Sequence, residues 1–494
     1  MIEHFKRLSS QTLVYGLGDA VIKAIAFFLI PLYTRLLSQE QVGIISLLNL
    51  VEVFLWLLLS LSLNSAVFKV YHDYTSESER NVVFSSAVLF TAAVAFPLLL
   101  VLFFNAGLVS EIIFRNPDNA VYLKILFGSV FFNLFRLLAL AYLRTLEKPV
   151  LYSMLNTLHF TLLVGFNILH VLILRQGILG VVKSSLYTSA ILFLVVMIVV
   201  FRKTGLAFSA TALKKLLHFG LPMVPGSVAN YLLTMSDRYL LNIYSSADQV
   251  GLYDIAYKFG MIIQMVLVMP FRTAWLPFVF SVQKKPEAKS IYAGAVTYFL
   301  LAAVFLFLAL TFFIKEIIIN FSTAAYLPGM RAIPYIAMSY IFFGLYYIVD
   351  IGVLLKSKTI FYTLIATIGA AINITLNIVF IPGYGMIAAA INTAISYLFI
   401  LIFMYIVSSR LYRVNYEKAR IVKIVTVGIA LYLIGTFVPE SPLGMSIILK
   451  VGLLISYPIL LYTMKFFRHT EIAGYKKLIQ EVINRKGRSI HGQD

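Results

Sequence analysis

The sequence contains no cysteine, so it can form neither a disulfide nor a thiolate metal or redox site. It is also poor in charge: only 12% of its 494 residues are Asp, Glu, Lys or Arg, against 61% hydrophobic. A soluble globular chain carries about twice that share of charge, which excludes the soluble class. The phosphate-cradling GxxxxGK[ST] and the zinc-binding HExxH are missing, and the seven histidines, His159 and His170 among them, never pair at metal-ligand spacing. Nothing therefore points to an ATPase or a metal site, and no cofactor is expected. The ~10-residue alternating segments of a membrane β-barrel are absent too.

What is present is a succession of apolar runs, with a mean hydropathy of +0.92. Fourteen helical spans are expected, over 12–34, 42–64, 83–105, 120–143, 150–173, 178–201, 217–242, 250–272, 291–314, 333–355, 359–381, 384–407, 421–439 and 443–465. Each is long enough to cross a ~30 Å hydrocarbon core. The fold class is an all-α membrane protein, because backbone exposed to lipid must satisfy its own hydrogen bonds. The opening MIEHFKRLSSQ is followed by a run that contains Asp19 and Lys23 and no small-residue cleavage site. It is read as a retained first span rather than a signal peptide.

Forty Lys and Arg oppose 21 Asp and Glu, a net charge of +19 that would suggest nucleic acid if it were spread over a surface. It is not so spread. With a cytoplasmic N-terminus, the inner segments hold 28 Lys and Arg and the outer segments six. The positive-inside rule then places both termini in the cytoplasm, and no nucleic-acid partner is expected.

The chain repeats itself. YGLGDAV at 15–21 matches FGLPMVP at 219–225, and SQEQVGIISL at 38–47 matches SADQVGLYDI at 246–255. Further on, EKPVLY at 147–152 matches SKTIFY at 357–362, Asn167 matches Asn377, and GVVKSSLYTS at 180 matches GMIAAAINTA at 385. Offsets of 204 to 210 in one order indicate duplication of a six-helix unit. Six is even, so the halves insert as parallel repeats with a substrate site between them. The expected organisation is an N-terminal six-helix lobe (1–203), a cytoplasmic basic linker (204–216), a C-terminal six-helix lobe (217–408), two extra spans (409–465) and a basic tail (466–494).

No connecting segment exceeds roughly 20 residues, so candidate chemistry lies in the charges within the spans, each costing at least ~2.5 kcal/mol at the bilayer centre unless it faces protein or water. Helical rise places Asp19, Lys23 and Glu52 near the midplane, Arg136 in the inner third of its span and Lys258 roughly 12 Å from the outside. Lys124, Lys183 and Asp254 lie nearer the outer rim, and Asp350 towards the inner end of the tenth span. Asp19 with Lys23, and Asp254 with Lys258, have the i,i+4 spacing of intrahelical ion pairs as well as of binding groups. Lys124 and Lys183 either serve the cavity or snorkel to the interface. Arg136 and Glu52 have no partner within a turn, which favours an inward-facing role. Asp237 and Arg238 are expected about 30 Å up the seventh span, where they gate the outer mouth or cap the helix. Gly220, Pro222, Pro225 and Gly226 should bend the inner end of that span.

Two six-helix lobes plus two spans, DRYLLNIYSSADQVGLY at 237–253 and GYGMIAAAINTAISYL at 383–398 resemble the polysaccharide-exporter branch of the multidrug/oligosaccharidyl-lipid/polysaccharide superfamily. The likeness covers essentially the whole chain. It implies a V-shaped, alternating-access bundle that flips undecaprenyl-pyrophosphate-linked oligosaccharide, the repeat unit of O-antigen, capsule or exopolysaccharide, and is not an enzyme. It also implies a cationic cavity for the pyrophosphate, a role for the last two spans at the lipid tail, and as partners membrane lipid and the polymerase and chain-length machinery. Lys23, Lys124, Arg136, Lys183 and Lys258 are the cavity cations; Asp19, Glu52, Asp237, Arg238, Asp254 and Asp350 are the gating or ion-coupling candidates. Two alternatives stand beside this reading. A cation-coupled drug or metabolite extruder of the same superfamily would use acids such as Asp19 and Glu52, and a membrane-embedded glycan polymerase or ligase would need a larger outer loop.

Because the chain has no cysteine of its own, the topology is directly testable. A cysteine at Ser245 should react with an impermeant thiol reagent in intact cells, and one at Ser78 should not. The reverse pattern would invert the orientation.

Overall fold

The computed structural model describes residues 29–439, 443–468 and 471; Asp19, Lys23 and most of the first predicted span lie outside them. Among the described residues, 11 helical runs are long and apolar enough to cross a membrane. One of these, Ile360–Leu411, holds two of the predicted spans, interrupted at Gly385, whose φ of +56° and ψ of −137° break the helix after Pro382. The Val224–Tyr244 helix is a further 21-residue element whose Asp237 and Arg238 lower its hydropathy.

Local sequence accounts for the ends. The Ser38 hydroxyl accepts the Gln41 N–H in a capping box that starts Gln39–Ser60, and Ser246 accepts the Gln249 N–H to start Ala247–Gly260. These caps are repeat equivalents, 208 residues apart. Gln39–Ser60 ends where Leu61 and Ser62 are both left-handed, and Leu63–Val70 resumes in a new direction. The expected bend in the seventh span is present. The chain forms Ala210–Gly220, a 3-10 turn over Leu221–Met223 and then Val224–Tyr244. Ala210–Gly220 buries Ala212, Leu216 and Gly220, and the Ser209 N–H just before it donates to Ser86 Oγ of the N-terminal lobe.

The two lobes meet on their pseudo-twofold axis. A Cβ on Gly43 would lie 1.8 Å from the Ala247 carbonyl oxygen, and a Cβ on Gly251 2.0 Å from that of Gln39. Since Gly43 and Gln39 are the repeat equivalents of Gly251 and Ala247, the contact is reciprocal. Only glycine allows two backbones this close. Around the crossing, Arg35 donates to the Asn320 carbonyl (2.9 Å), Gln39 to Ala325 (2.5 Å), Arg115 to Ile243 (2.8 Å) and Asn242 to Ile113 (3.0 Å). All of these lie at the face predicted to be outer, so the bundle is closed there.

The two extra helices, Lys418–Thr436 and Leu443–Thr463, pack on Ala288–Phe321. Gly428 and Gly435 bring the first of them onto Val304 and Phe312. Lys450 binds Glu316 at 2.6 Å, and Arg420 joins Glu417 (2.9 Å) to Glu471 (3.0 Å). Removing these helices would strand Glu316 in an apolar bundle, so they brace the C-terminal lobe as well as extend it.

A Val side chain at position 251 cannot fit the crossing. Gly251→Val should either cost ~1–3 kcal/mol of overpacking strain or prop the lobes apart. In detergent-solubilised protein, a cysteine at the buried Ser46 should be shielded from thiol reagents in the parent and reactive in the Gly251→Val background. Unchanged protection with unchanged melting temperature would show that the crossing yields.

Candidate functional site

The N-terminal lobe encloses a cavity of about 500 Å³ that Lys258 of the other lobe completes. Ala120–Thr145 supplies Arg136, Gln39–Ser60 supplies Glu52 and Trp56, and Pro149–Asn167 supplies His159. Arg136 is only 6% exposed; its Nε donates to Asn133 Oδ1 one helical turn earlier at 2.8 Å. Its Nη1 is buried without a hydrogen-bond partner, as are the Trp56 indole N–H and His159 Nδ1. A buried donor left unpaired costs ~1–3 kcal/mol, more for a charged group, so this cavity is built to receive an acceptor. With Arg136 and Lys258 against Glu52, the acceptor it suits is an anion.

Lys258 reaches the cavity as the end of a buried chain of charges. Its Nζ pairs with Asp254 Oδ2 at 2.8 Å, and Asp254 Oδ1 accepts from Arg238 Nε at 3.1 Å. Arg238 Nη1 contacts Asp237 at 3.2 Å, while Tyr253 donates to the other Asp237 oxygen at 2.5 Å. The guanidinium also lies 4.3 Å from the centre of the Tyr257 ring. Asp237 and Arg238, 0% and 3% exposed, therefore do not rim an outer mouth. The depth expected from the sequence assumed one helix from residue 217. The helix instead restarts at Val224 and runs on to Tyr244, so Asp237 sits ~10 Å below its end. Asp254 is likewise internal, beneath the glycine crossing. The Asp254–Lys258 ion pair at i,i+4 forms as the spacing predicts.

A second cavity of about 520 Å³ lies in the C-terminal lobe, towards the face predicted to be inner. Arg272, Trp275, Tyr346, Tyr347, Asp350 and Tyr362 line it. Tyr362 donates to Asp350 Oδ2 at 2.6 Å, and the Arg272 guanidinium stacks 4.0 Å from the Tyr347 ring centre. Asp350 is thus a cavity residue.

Two of the predicted cavity cations are elsewhere. Lys124 is exposed on the bundle's exterior, 5.6 Å from the Phe103 ring, and Lys183 donates to Gln176 at the end of its helix, 3.3 Å away. Both extend along apolar surface towards the interface, as long amphipathic side chains do.

Residues 8–283, more than half of the chain, match the model of a family described as polysaccharide biosynthesis protein. The chain belongs to that family. No curated protein matches it by sequence. Among solved structures, the lipid II flippase MurJ in an inward closed conformation is similar over 92% of this chain and 100% of its own, with TM-score 0.76 and 15% identity. An inward-facing multidrug resistance MATE family transporter of the MOP superfamily gives 0.64 at 13% identity, over 81% of this chain and 94% of its own. An outward-facing transporter of that description gives 0.56 at 14%, over 82% and 95%. This polysaccharide biosynthesis protein thus has the MOP transporter fold.

Several groups in this family member carry no one-dimensional signal. Arg272 stands at the end of a predicted span and reads there as a topological charge. Trp56 and Trp275 stand in apolar runs with nothing to single them out, and His159 reads as a packing or interfacial residue. Glu316 and Lys450, 134 residues apart, have no pattern that announces their pairing.

The charge chain makes a graded prediction. Arg238→Ala leaves Asp237 and Asp254 short of their shared partner and should cost ~3–5 kcal/mol, read as a steep fall in melting temperature and yield in detergent. Lys258→Ala should shift the melting temperature much less, since its side chain is 19% exposed and Asp254 keeps Arg238. Equal losses would make Lys258 one more structural member of the chain.

Proposed function

We propose that the protein is a flippase that carries undecaprenyl-pyrophosphate-linked oligosaccharide, an O-antigen, capsule or exopolysaccharide repeat unit, from the cytoplasmic to the outer leaflet of the bacterial plasma membrane. The observation that carries this reading is Arg136: a buried guanidinium with a free Nη1, in a cavity completed by a lysine of the opposite lobe. Arginine offers phosphate a planar fork and lysine a compact point charge. A pyrophosphate held between Arg136 and Lys258 bridges the lobes, so its arrival and departure bias their relative position. Family membership and the MOP fold support the same class.

In this reading both termini and the 204–216 linker are cytoplasmic, the lobes are 1–203 and 217–408, and the closed face is the outer one. The site then loads from the cytoplasm. Rocking opens the glycine crossing and its rim of inter-lobe hydrogen bonds while the opposite face closes. A potential negative inside favours outward movement of an anion by ~2.3 kcal/mol per charge per 100 mV, and draws the emptied cationic site back. Glu52 supplies a nearby negative charge that lowers the cost of the unfilled site.

Arg136→Ala and Lys258→Ala should abolish surface polysaccharide at normal protein abundance, with lipid-linked repeat units accumulating on the cytoplasmic leaflet; Lys258→Arg should keep part of the activity. The rival extruder reading places the coupling site on an acid, and Glu52 lines this cavity. If Glu52→Gln alone abolishes function while Arg136→Ala and Lys258→Ala export normally, the rival stands and the flippase reading falls.

A further inference from the structure

The cavity of the C-terminal lobe has a chemistry that pyrophosphate binding leaves unused. We propose that it is the subsite for the sugar chain of the translocated headgroup, a neutral polyhydroxyl ligand; the proposal rests on the flippase reading and divides the headgroup between the two lobes.

The lining argues for that ligand class. Trp275 and Asp350 are each more than nine-tenths buried, at 5% and 6% exposure, and the indole N–H and Asp350 Oδ1 have no hydrogen-bond partner. The ligand must therefore accept from one and donate to the other. A hydroxyl does both; the oxygens of a pyrophosphate diester only accept, and an ammonium only donates. Charge narrows the choice further. Arg272 and Asp350 oppose one another in one cavity, so a cation meets the guanidinium and an anion the carboxylate, whereas a neutral polar ligand uses both. An apolar ligand would leave both orphaned groups unsatisfied.

The walls complete the match. Phe343 lies 4.8 Å from Tyr347 and 5.2 Å from Tyr397, ring centre to ring centre, and Tyr346 lies 5.0 Å from Tyr347. Such a cluster presents apolar faces with polar edges, complementary to sugar rings, whose C–H faces are apolar and whose edges carry hydroxyls. At about 520 Å³ the cavity falls in the ~300–1,000 Å³ range of ligand sites.

The two cavities flank one helix contact. Gln39–Ser60 gives Glu52 and Trp56 to the cationic cavity, and Val224–Tyr244 gives Ser227 and Asn230 to the aromatic one. Those helices meet where Tyr231 donates to the Leu50 carbonyl and its ring stacks 6.1 Å from Phe54. A headgroup with its phosphates on Arg136 and its sugars beside Arg272 crosses this contact and engages both lobes.

The chain has two tryptophans, one in each cavity, so each site carries its own reporter. In purified full-length protein, Trp56→Phe leaves only Trp275 and Trp275→Phe leaves only Trp56. The probes are inorganic pyrophosphate and the repeat-unit oligosaccharide released by mild acid from the host's lipid-linked pool. The oligosaccharide should give a saturable fluorescence change in Trp56→Phe protein and none in Trp275→Phe protein; pyrophosphate should do the opposite. Adding Asp350→Ala to the Trp56→Phe protein should weaken the sugar response at least tenfold, while the same change in the Trp275→Phe protein leaves the pyrophosphate response intact and so shows a folded chain. A sugar response from Trp56 alone, or from neither reporter, overturns the sugar subsite and leaves the flippase reading standing. A sugar response at Trp275 with no pyrophosphate response at Trp56 sinks the cationic-cavity mechanism and keeps the sugar subsite.

Discussion

A charge taken out of water into a helical bundle must be answered by another charge or by a ligand, and that requirement orders the interior of this protein. Where the answer is internal, the charge is structural: Asp237, Arg238, Asp254 and Lys258 form an alternating chain in which each acid meets a cation. At Arg136 Nη1 and Asp350 Oδ1 the answer is incomplete, and both of these groups line a cavity. Lys258 belongs to both sets, which ties the cationic cavity to the position of the C-terminal lobe.

The lobes themselves are held by backbone. Gly43 and Gly251 let two helices touch at the closed face, and carbonyl oxygens of one lobe accept side-chain hydrogen bonds from the other. Contacts of this kind are individually weak and open together, at ~0.5–1.5 kcal/mol net for each hydrogen bond. In the proposed transport cycle, where this interface opens at each turn, such contacts suit it better than a buried salt bridge would, since parting two such charges costs several times more.

Much of this was legible in one dimension. Hydropathy marks the spans, the in-register echoes mark the duplication, and Gly220 to Pro225 mark the bend, because each depends on neighbours along the chain. The Asp254–Lys258 pair was legible for the same reason, at i,i+4. Arg238 with Asp254, Lys450 with Glu316, and Tyr362 with Asp350 were not, because helix packing alone decides which residues face each other across a bundle. The depth of Asp237 was misjudged because residues 217–223 count as rise in one continuous span, whereas in space they close a separate helix packed on the N-terminal lobe and form a turn before Val224. Lys124 and Lys183 show the converse limit: helical position gives the depth of a Cα, while a four-carbon side chain decides where its charge ends up.

The reciprocal contact at Gly43 and Gly251 also bears on ancestry. In a twofold homodimer, a residue on the symmetry axis meets its own copy, so a single codon specifies both sides of the contact. An unfused six-helix ancestor that paired in this way would have tested any side chain at that position against itself. After duplication and fusion the two positions became separate loci, free to diverge in principle, yet both remain glycine because either Cβ would strike the partner's backbone. At the axis, two genetic copies thus still behave as one site.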